Sequence, residues 1–261
     1  MTEQSEGIII TICPGINKNG TRESFEPIDI APGDTISIVG PTGSGKTAFI
    51  NDIEVFAQGD TVTGRRVLVN GKAPPEEFIR DPACKPIAMI TQNTKCLADL
   101  TVSEFLSMHV STRRSMSDNI IEDTISLANN FTGEKIVAGY RMSALSGGQT
   151  RSLMIADAVM ISKTPILLLD EIENAGIFKE AVMEHLKGLG KAVLFVTHDP
   201  YVSMLSDRRI IMSRGEVCNM LHPGDSEMKA LERIREIDAE MSMIRERIRV
   251  GELIGSDVFG C

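Results

Sequence analysis

No apolar run in this chain approaches the roughly 20 residues needed to cross a bilayer. Stretches such as Ile166 to Leu169 and Ala192 to Val196 are far shorter, so no segment is expected to span a membrane. The opening residues, Met1-Thr-Glu-Gln-Ser-Glu-Gly, are polar and acidic. They lack the basic and apolar regions of a signal peptide, and a cytoplasmic location is expected. A basic excess is also missing: 27 Lys and Arg face 36 Asp and Glu, for a formal charge of −9. With no field to draw it to phosphate backbones, the chain is not expected to bind nucleic acid. The five cysteines, Cys13, Cys84, Cys96, Cys218 and Cys261, are odd in number and never spaced C-x-x-C. That excludes a disulfide framework and the common zinc or iron–sulfur spacings. Cys261 stands last, whereas a prenylation box would place cysteine fourth from the end.

What is present is ordinary globular composition, 42% hydrophobic and 24% charged over 261 residues, enough for one large or two small domains. Short runs rich in Ile and Val recur at Gly7 to Ile12, Thr35 to Val39, Ile87 to Thr91, Ile166 to Asp170 and Ala192 to Thr197, each reading as a buried strand. Helical spacing fills Lys46 to Val55, Gly148 to Ile161 and Phe178 to Lys187. This alternation predicts an α/β fold with a largely parallel sheet. Leu97 to Arg141 contains no convincing strand and reads as a helical insert. Beyond Val217, Pro223-Gly224-Asp225 breaks the chain, and Asp225 or Ser226 is placed to cap a helix running to about Val250. Its apolar stripe is Leu231, Ile234, Ile237, Met241, Ile244 and Ile248. That stripe suits either a helix packed on its own domain or one that binds a partner.

Gly40-Pro41-Thr42-Gly43-Ser44-Gly45-Lys46-Thr47 fits G-x-x-x-x-G-K-[ST], follows an expected strand and opens an expected helix, the context the motif requires. Its glycines let successive N–H groups curl around phosphate oxygens while the helix N-terminus adds partial positive charge. Lys46 is placed to reach the β and γ phosphates, and Thr47 to offer its hydroxyl to Mg²⁺. Ile166-Leu-Leu-Leu-Asp170-Glu171 is an apolar strand ending in two carboxylates. There Asp170 is placed to hold Mg²⁺ or its waters, and Glu171 to polarise an attacking water.

Leu145-Ser146-Gly147-Gly148-Gln149 stands between these two motifs, with Gln92 ending a strand upstream and Thr197-His198-Asp199-Pro200 downstream. In residues and in order, the set resembles the ATP-binding cassette (ABC) ATPases over about residues 7 to 217. The resemblance implies a P-loop NTPase core with a mostly parallel sheet, an antiparallel β subdomain and a helical signature subdomain over about 93–160; the C-terminal helix lies outside it. The ATPase domain would cover 1–221 and a helical extension 222–261. It also implies a head-to-tail dimer, homotypic or with another such subunit. Each ATP would lie with Mg²⁺ between Gly40 to Thr47 of one chain and Ser146, Gly147, Gly148 and Gln149 of the other. Gln92 resembles the family residue that touches Mg²⁺ or the attacking water, and His198 the one that contacts the γ-phosphate.

The pattern is broken in three places. Cassettes usually stack adenine on an aromatic residue upstream of Gly40, but Cys13 to Asn19 contains none and Phe25 is the nearest. The segment Glu171-Ile-Glu-Asn-Ala-Gly-Ile177 lacks the Pro and Asp usual after Glu. Asp157 stands where the family often carries Arg. Two functions stay open. One is the ATP-hydrolysing subunit of a transporter whose spanning subunits are separate chains, peripheral on the inner face of the membrane. The other is an ATPase remodelling or assembling a cytoplasmic protein or metallocofactor complex.

Overall fold

The computed structural model describes residues 7–91, 99–113, 117–171 and 177–255. The N-terminal third holds β1 (Ile10–Cys13), β2 (Ile28–Ile30), β3 (Thr35–Val39), α1 (Lys46–Glu54) and β4 (Arg66–Val69). Next come α2 (Glu76–Arg80), β5 (Ile87–Ile90), α3 (Val102–Ser111), α4 (Ile120–Asn130) and α5 (Gly147–Met160). The chain continues through β6 (Ile166–Asp170), α6 (Lys179–Gly188), β7 (Ala192–Val196), α7 (Pro200–Leu205), β8 (Arg208–Ser213), β9 (Glu216–Leu221) and α8 (Asp225–Arg249).

The main sheet has the order β5-β6-β7-β3-β8-β9, parallel except for β9, which returns antiparallel on β8. A smaller antiparallel sheet has the order β2-β1-β4. Strands β6 and β7 are apolar at almost every position because both faces are covered. Leu167, Leu169, Val193 and Phe195 point into a core shared with Val102, Leu106, Phe131 and Leu153 of the helical segment. Ile166, Leu168, Ala192 and Leu194 point the other way, into a core with α1 and the small sheet. The period of two along a strand thus divides one sheet between two cores. Strand β1 alternates instead, with Ile10 and Ile12 buried and Thr11 and Cys13 half-exposed.

Fully buried Arg65 joins the small sheet to α1 and to the β8–β9 turn. Its guanidinium donates to both carboxylate oxygens of Glu23 at 2.8 and 2.6 Å, to Asp52 of α1 at 3.1 Å and to the Gly215 carbonyl at 3.0 Å. It also lies 5.0 Å from the centre of the Phe49 ring on the same helix, where the ring's negative face attracts it.

Helix starts follow local chemistry. Thr101 and Glu104 form a reciprocal capping box on α3, and Asp199 accepts two backbone N–H bonds ahead of Pro200 on α7. Helix α8 departs from expectation at its start. Gly224 is the N-cap, with no side-chain hydrogen bond, so neither Asp225 nor Ser226 caps it. Asp225 falls instead in the first turn, where its charge complements the helix dipole. None of its residues is buried, although it rests on α7 and its neighbours through polar contacts. Arg235 donates to the Tyr201 hydroxyl at 3.1 Å and pairs with Glu180, Asp238 pairs with Lys179, and Glu227 with Arg209. Leu231, Ile234 and Ile244 are half-buried, whereas Ile237, Met241 and Ile248 remain exposed. Among the described residues no helix is long and apolar enough to cross a membrane.

Candidate functional site

The sheet order makes β6, β7 and β3 neighbours, all running the same way. Their register aligns Asp170 with Val196 and Val196 with Ile38. The segments leaving their carboxyl ends, Glu171, Thr197-His198 and Gly40 to Thr47, therefore emerge side by side, where open parallel sheets gather their ligands.

Gly40 to Thr47 wraps the N-terminus of α1. At Gly40, with φ 154°, an added Cβ would lie 2.2 Å from the Met212 carbonyl oxygen, so only glycine lets the loop pass this close to β8. Gly45 is the N-cap, in left-handed conformation and without a side-chain cap, and no acidic residue occupies the first turn. The first N–H groups of α1 are thus not neutralised locally. The hydroxyl of Ser44 is buried with no hydrogen-bond partner, an orphaned polar atom within the phosphate loop. Lys46 is buried and folds back over the loop, donating to the carbonyls of Gly40 at 2.9 Å and Pro41 at 3.2 Å. Burial holds its ammonium below the ordinary lysine value, while the carboxylates of Glu171 and Asp170 act to raise it. Thr47 and Pro41 to Gly43 are exposed. The unsatisfied donors, the orphaned hydroxyl and the lysine fit a phosphate chain. Thr47 and Asp170 supply oxygen donors of the kind Mg²⁺ takes alongside phosphate oxygens, without an all-protein cage.

Glu171 adopts a left-handed backbone with φ 50°, a conformation that costs a non-glycine residue on the order of 1–3 kcal/mol. Its N–H donates to the Val196 carbonyl at 2.9 Å, and its carboxylate lies 3.6 Å from His198 Nε2. Two residues 27 positions apart by their numbers are thus brought together at the loop's edge. Gln92 and residues 172 to 176 lie outside the described residues.

Ser146 and Gln149 make a capping box. The serine hydroxyl accepts from Gln149 N at 3.2 Å, and Gln149 Oε1 accepts from Ser146 N at 2.9 Å. The Gln149 amide also donates to the Lys135 carbonyl at 3.0 Å, so this side chain turns inward and fixes the start of α5. Ser146, Gly147 and Gly148 line a cleft of about 1150 Å³ together with Asp238, Ser242, Arg245, Glu246 and Arg249 of α8. No residue of Gly40 to Thr47 lines that cleft. The two glycine-rich segments therefore do not share this cleft.

Three contributors escaped sequence reading because their partners are remote. Arg65 is one and Lys18, which donates to the Gly43 carbonyl at 2.6 Å, is another. The third is His109, whose Nδ1 lies 2.8 Å from Asp157 Oδ2 and whose ring centre lies 4.3 Å from that of Phe105 at a tilt of 52°. This pair explains the acid at 157, since it ties α3 to α5. The hydrogen bond to Asp157 raises the His109 pKa, against desolvation and nearby Arg113. A raised folded-state pKa stabilises below the unfolded value near 6.5 and ceases to do so as pH rises through the folded value. His109→Gln is therefore expected to lose more stability at pH 6 than at pH 9. Urea denaturation at both values checks this, and equal losses would contradict it.

Comparison with known proteins gives this geometry its context. The ABC transporter family model matches residues 27–174. An uncharacterized ABC transporter ATP-binding protein of Methanocaldococcus jannaschii is 48% identical over 243 residues, covering 93% of both chains. The zinc import ATP-binding protein ZnuC of Ruegeria pomeroyi is 30% identical over 199 residues, 73% of this chain and 68% of its own. In fold, the chain is similar to a dimeric ATP-binding cassette in a post-hydrolysis state bound to ADP and Pi. That match has a TM-score of 0.61 at 24% identity and covers 82% of this chain and 99% of the other. The chain therefore belongs to the ABC transporter ATP-binding family, and it is an ATPase that takes ATP with Mg²⁺.

Proposed function

We propose that this chain is the ATP-hydrolysing subunit of a membrane transporter. It would act as a head-to-tail pair, with a second copy or another cassette subunit, beneath spanning subunits carried on separate chains. The observation that carries the paired reading is that the two glycine-rich helix starts, Gly40 to Thr47 on α1 and Ser146 to Gly148 on α5, do not line one cleft of the chain. Each lacks acidic residues in its first turn, and each needs a partner to complete a two-sided clamp.

In this reading Gly40, Pro41, Thr42, Gly43, Ser44, Gly45, Lys46 and Thr47 hold the phosphates, and Thr47, Asp170 and Gln92 hold Mg²⁺. The ion supplies neutralisation of the charge that builds on the phosphate oxygens. Glu171 takes a proton from the attacking water as its oxygen bonds to the γ-phosphorus and the bond to the ADP oxygen breaks. His198 contacts the γ-phosphate and keeps Glu171 in place. Ser146, Gly147 and Gly148 of the other subunit close over the γ-phosphate, and Gln149 sets their geometry.

The transporter reading is supported by the relatives named for ABC transport and zinc import. It locates the chain at the inner face of the membrane through its partner. The test is to purify tagged Glu171→Gln chain from its own cells in mild detergent with Mg-ATP and identify what accompanies it. A polytopic membrane protein in near-stoichiometric amount is expected. Soluble enzymes alone would overturn transport and favour a remodelling ATPase.

A further inference from the structure

The loop between β1 and β2 is where an adenine-stacking aromatic is expected, and Phe25 is its one aromatic residue. Phe25 packs against the core around the small sheet. The loop's exposed apolar side chain is Ile16, whose aliphatic surface cannot stack a base as an aromatic ring does.

What the loop offers instead is Lys18. Its ammonium donates to the carbonyl of Gly43, inside the phosphate loop, at 2.6 Å, and no carboxylate among the described residues engages it. Its position is built by several contacts. Asn17 Oδ1 accepts from the N–H groups of Asn19 and Thr21 at 3.0 and 3.1 Å, and Asn17 Nδ2 donates to Glu216 of β9 at 3.0 Å. The β8–β9 turn is wedged between this loop and the phosphate loop. Gly215 N donates to the Ser44 carbonyl at 2.8 Å, and a Cβ at Gly215 would fall 2.7 Å from Lys18 Cγ. A phosphate oxygen offers the ammonium the Coulombic attraction of a full negative charge, which a neutral carbonyl lacks.

We propose that Lys18 is a nucleotide-binding residue that supplies affinity through the phosphates where the family supplies it through the base, so that the site accepts nucleoside triphosphates with little regard to base. On binding, its ammonium moves from the Gly43 carbonyl to a phosphate oxygen. The inference rests on Gly40 to Thr47 being the phosphate site and adds a specificity that this assignment alone does not carry.

The test is isothermal titration calorimetry on the full chain with the magnesium complexes of ATP, GTP and inorganic tripolyphosphate. Wild type is expected to bind ATP and GTP within about threefold of each other. Lys18→Met is expected to weaken all three ligands about tenfold, roughly 1.4 kcal/mol, and to flatten the salt dependence. Lys18→Arg is expected to recover most of the loss. Unchanged affinity in Lys18→Met, or a wild-type preference for ATP over GTP above tenfold, would overturn the inference. Lys46→Ala separates the two levels. Intact ATP affinity in that variant would remove the phosphate-loop assignment itself. Abolished binding there, beside unchanged binding in Lys18→Met, would remove only the role of Lys18.

Discussion

Glu171→Gln is expected to keep Mg-ATP binding and to lose hydrolysis by at least about a hundredfold, the low end of what a positioned general base contributes. An amide fills the same space and can still hydrogen-bond, but it cannot take a proton from water. The geometry makes this residue the proper one to change. Its carboxylate is held at the edge of the phosphate loop by a left-handed backbone, by the bond from its N–H to Val196 and by His198 at 3.6 Å. Strain of this kind persists only where the surroundings over-determine it, and here it aims a carboxylate across the ends of β6 and β7. Phosphate release at saturating ATP measures the effect. Wild-type turnover in the variant would place the base on another residue.

Arg65→Met is expected to destabilise the fold by about 3–5 kcal/mol, the range for breaking a buried ion pair from one side. The side chains of Glu23 and Asp52 are almost wholly buried, at 0% and 3% exposure. Removing the guanidinium leaves both carboxylates without their cation. Each also holds something near the site. Glu23 accepts from the Gly15 N–H of the loop that carries Lys18 and from Val217 of β9, while Asp52 belongs to the helix that the phosphate loop opens. Adding Glu23→Gln and Asp52→Asn removes the stranded charges and is expected to recover part of the loss. Urea denaturation measures both steps. A loss under about 1 kcal/mol for Arg65→Met would show that solvent or rearrangement replaces the guanidinium at little cost.

The strands legible in sequence were the Ile- and Val-rich runs: β6 and β7, buried on both faces, read as continuous apolar runs, while β1 was read although it is buried on one face only. Strands β4, β8 and β9 did not show. Each covers one face or an edge and carries charge, as at Arg66, Arg208, Arg209 and Glu216. Strand β2 has three residues with Asp29 at its centre, too short for any period. At the site, the phosphate loop and the Asp170-Glu171 pair were legible because their chemistry is local in sequence. The S-x-x-Q pattern of Ser146 and Gln149 was equally visible but carried two meanings. The structure adds the capping box to the phosphate contact that family resemblance implies. The side-chain hydrogen bonds from Lys18 to Gly43, from Arg65 to Asp52 and between His109 and Asp157 were invisible because each spans 13 or more positions and depends on which surfaces the fold brings together. Asp157 is the clearest case, an anomaly in the motif that becomes one half of an interhelix pair.

The proposed function requires that one chain hold two half-sites that only a second chain can complete. The most direct test is the solution mass of Glu171→Gln by light scattering, with and without Mg-ATP. The expected result is a shift from the 28.5 kDa chain to twice that mass on adding nucleotide, reversed when magnesium and nucleotide are removed. A variant that binds ATP in calorimetry yet keeps the mass of a single chain at saturation would contradict it.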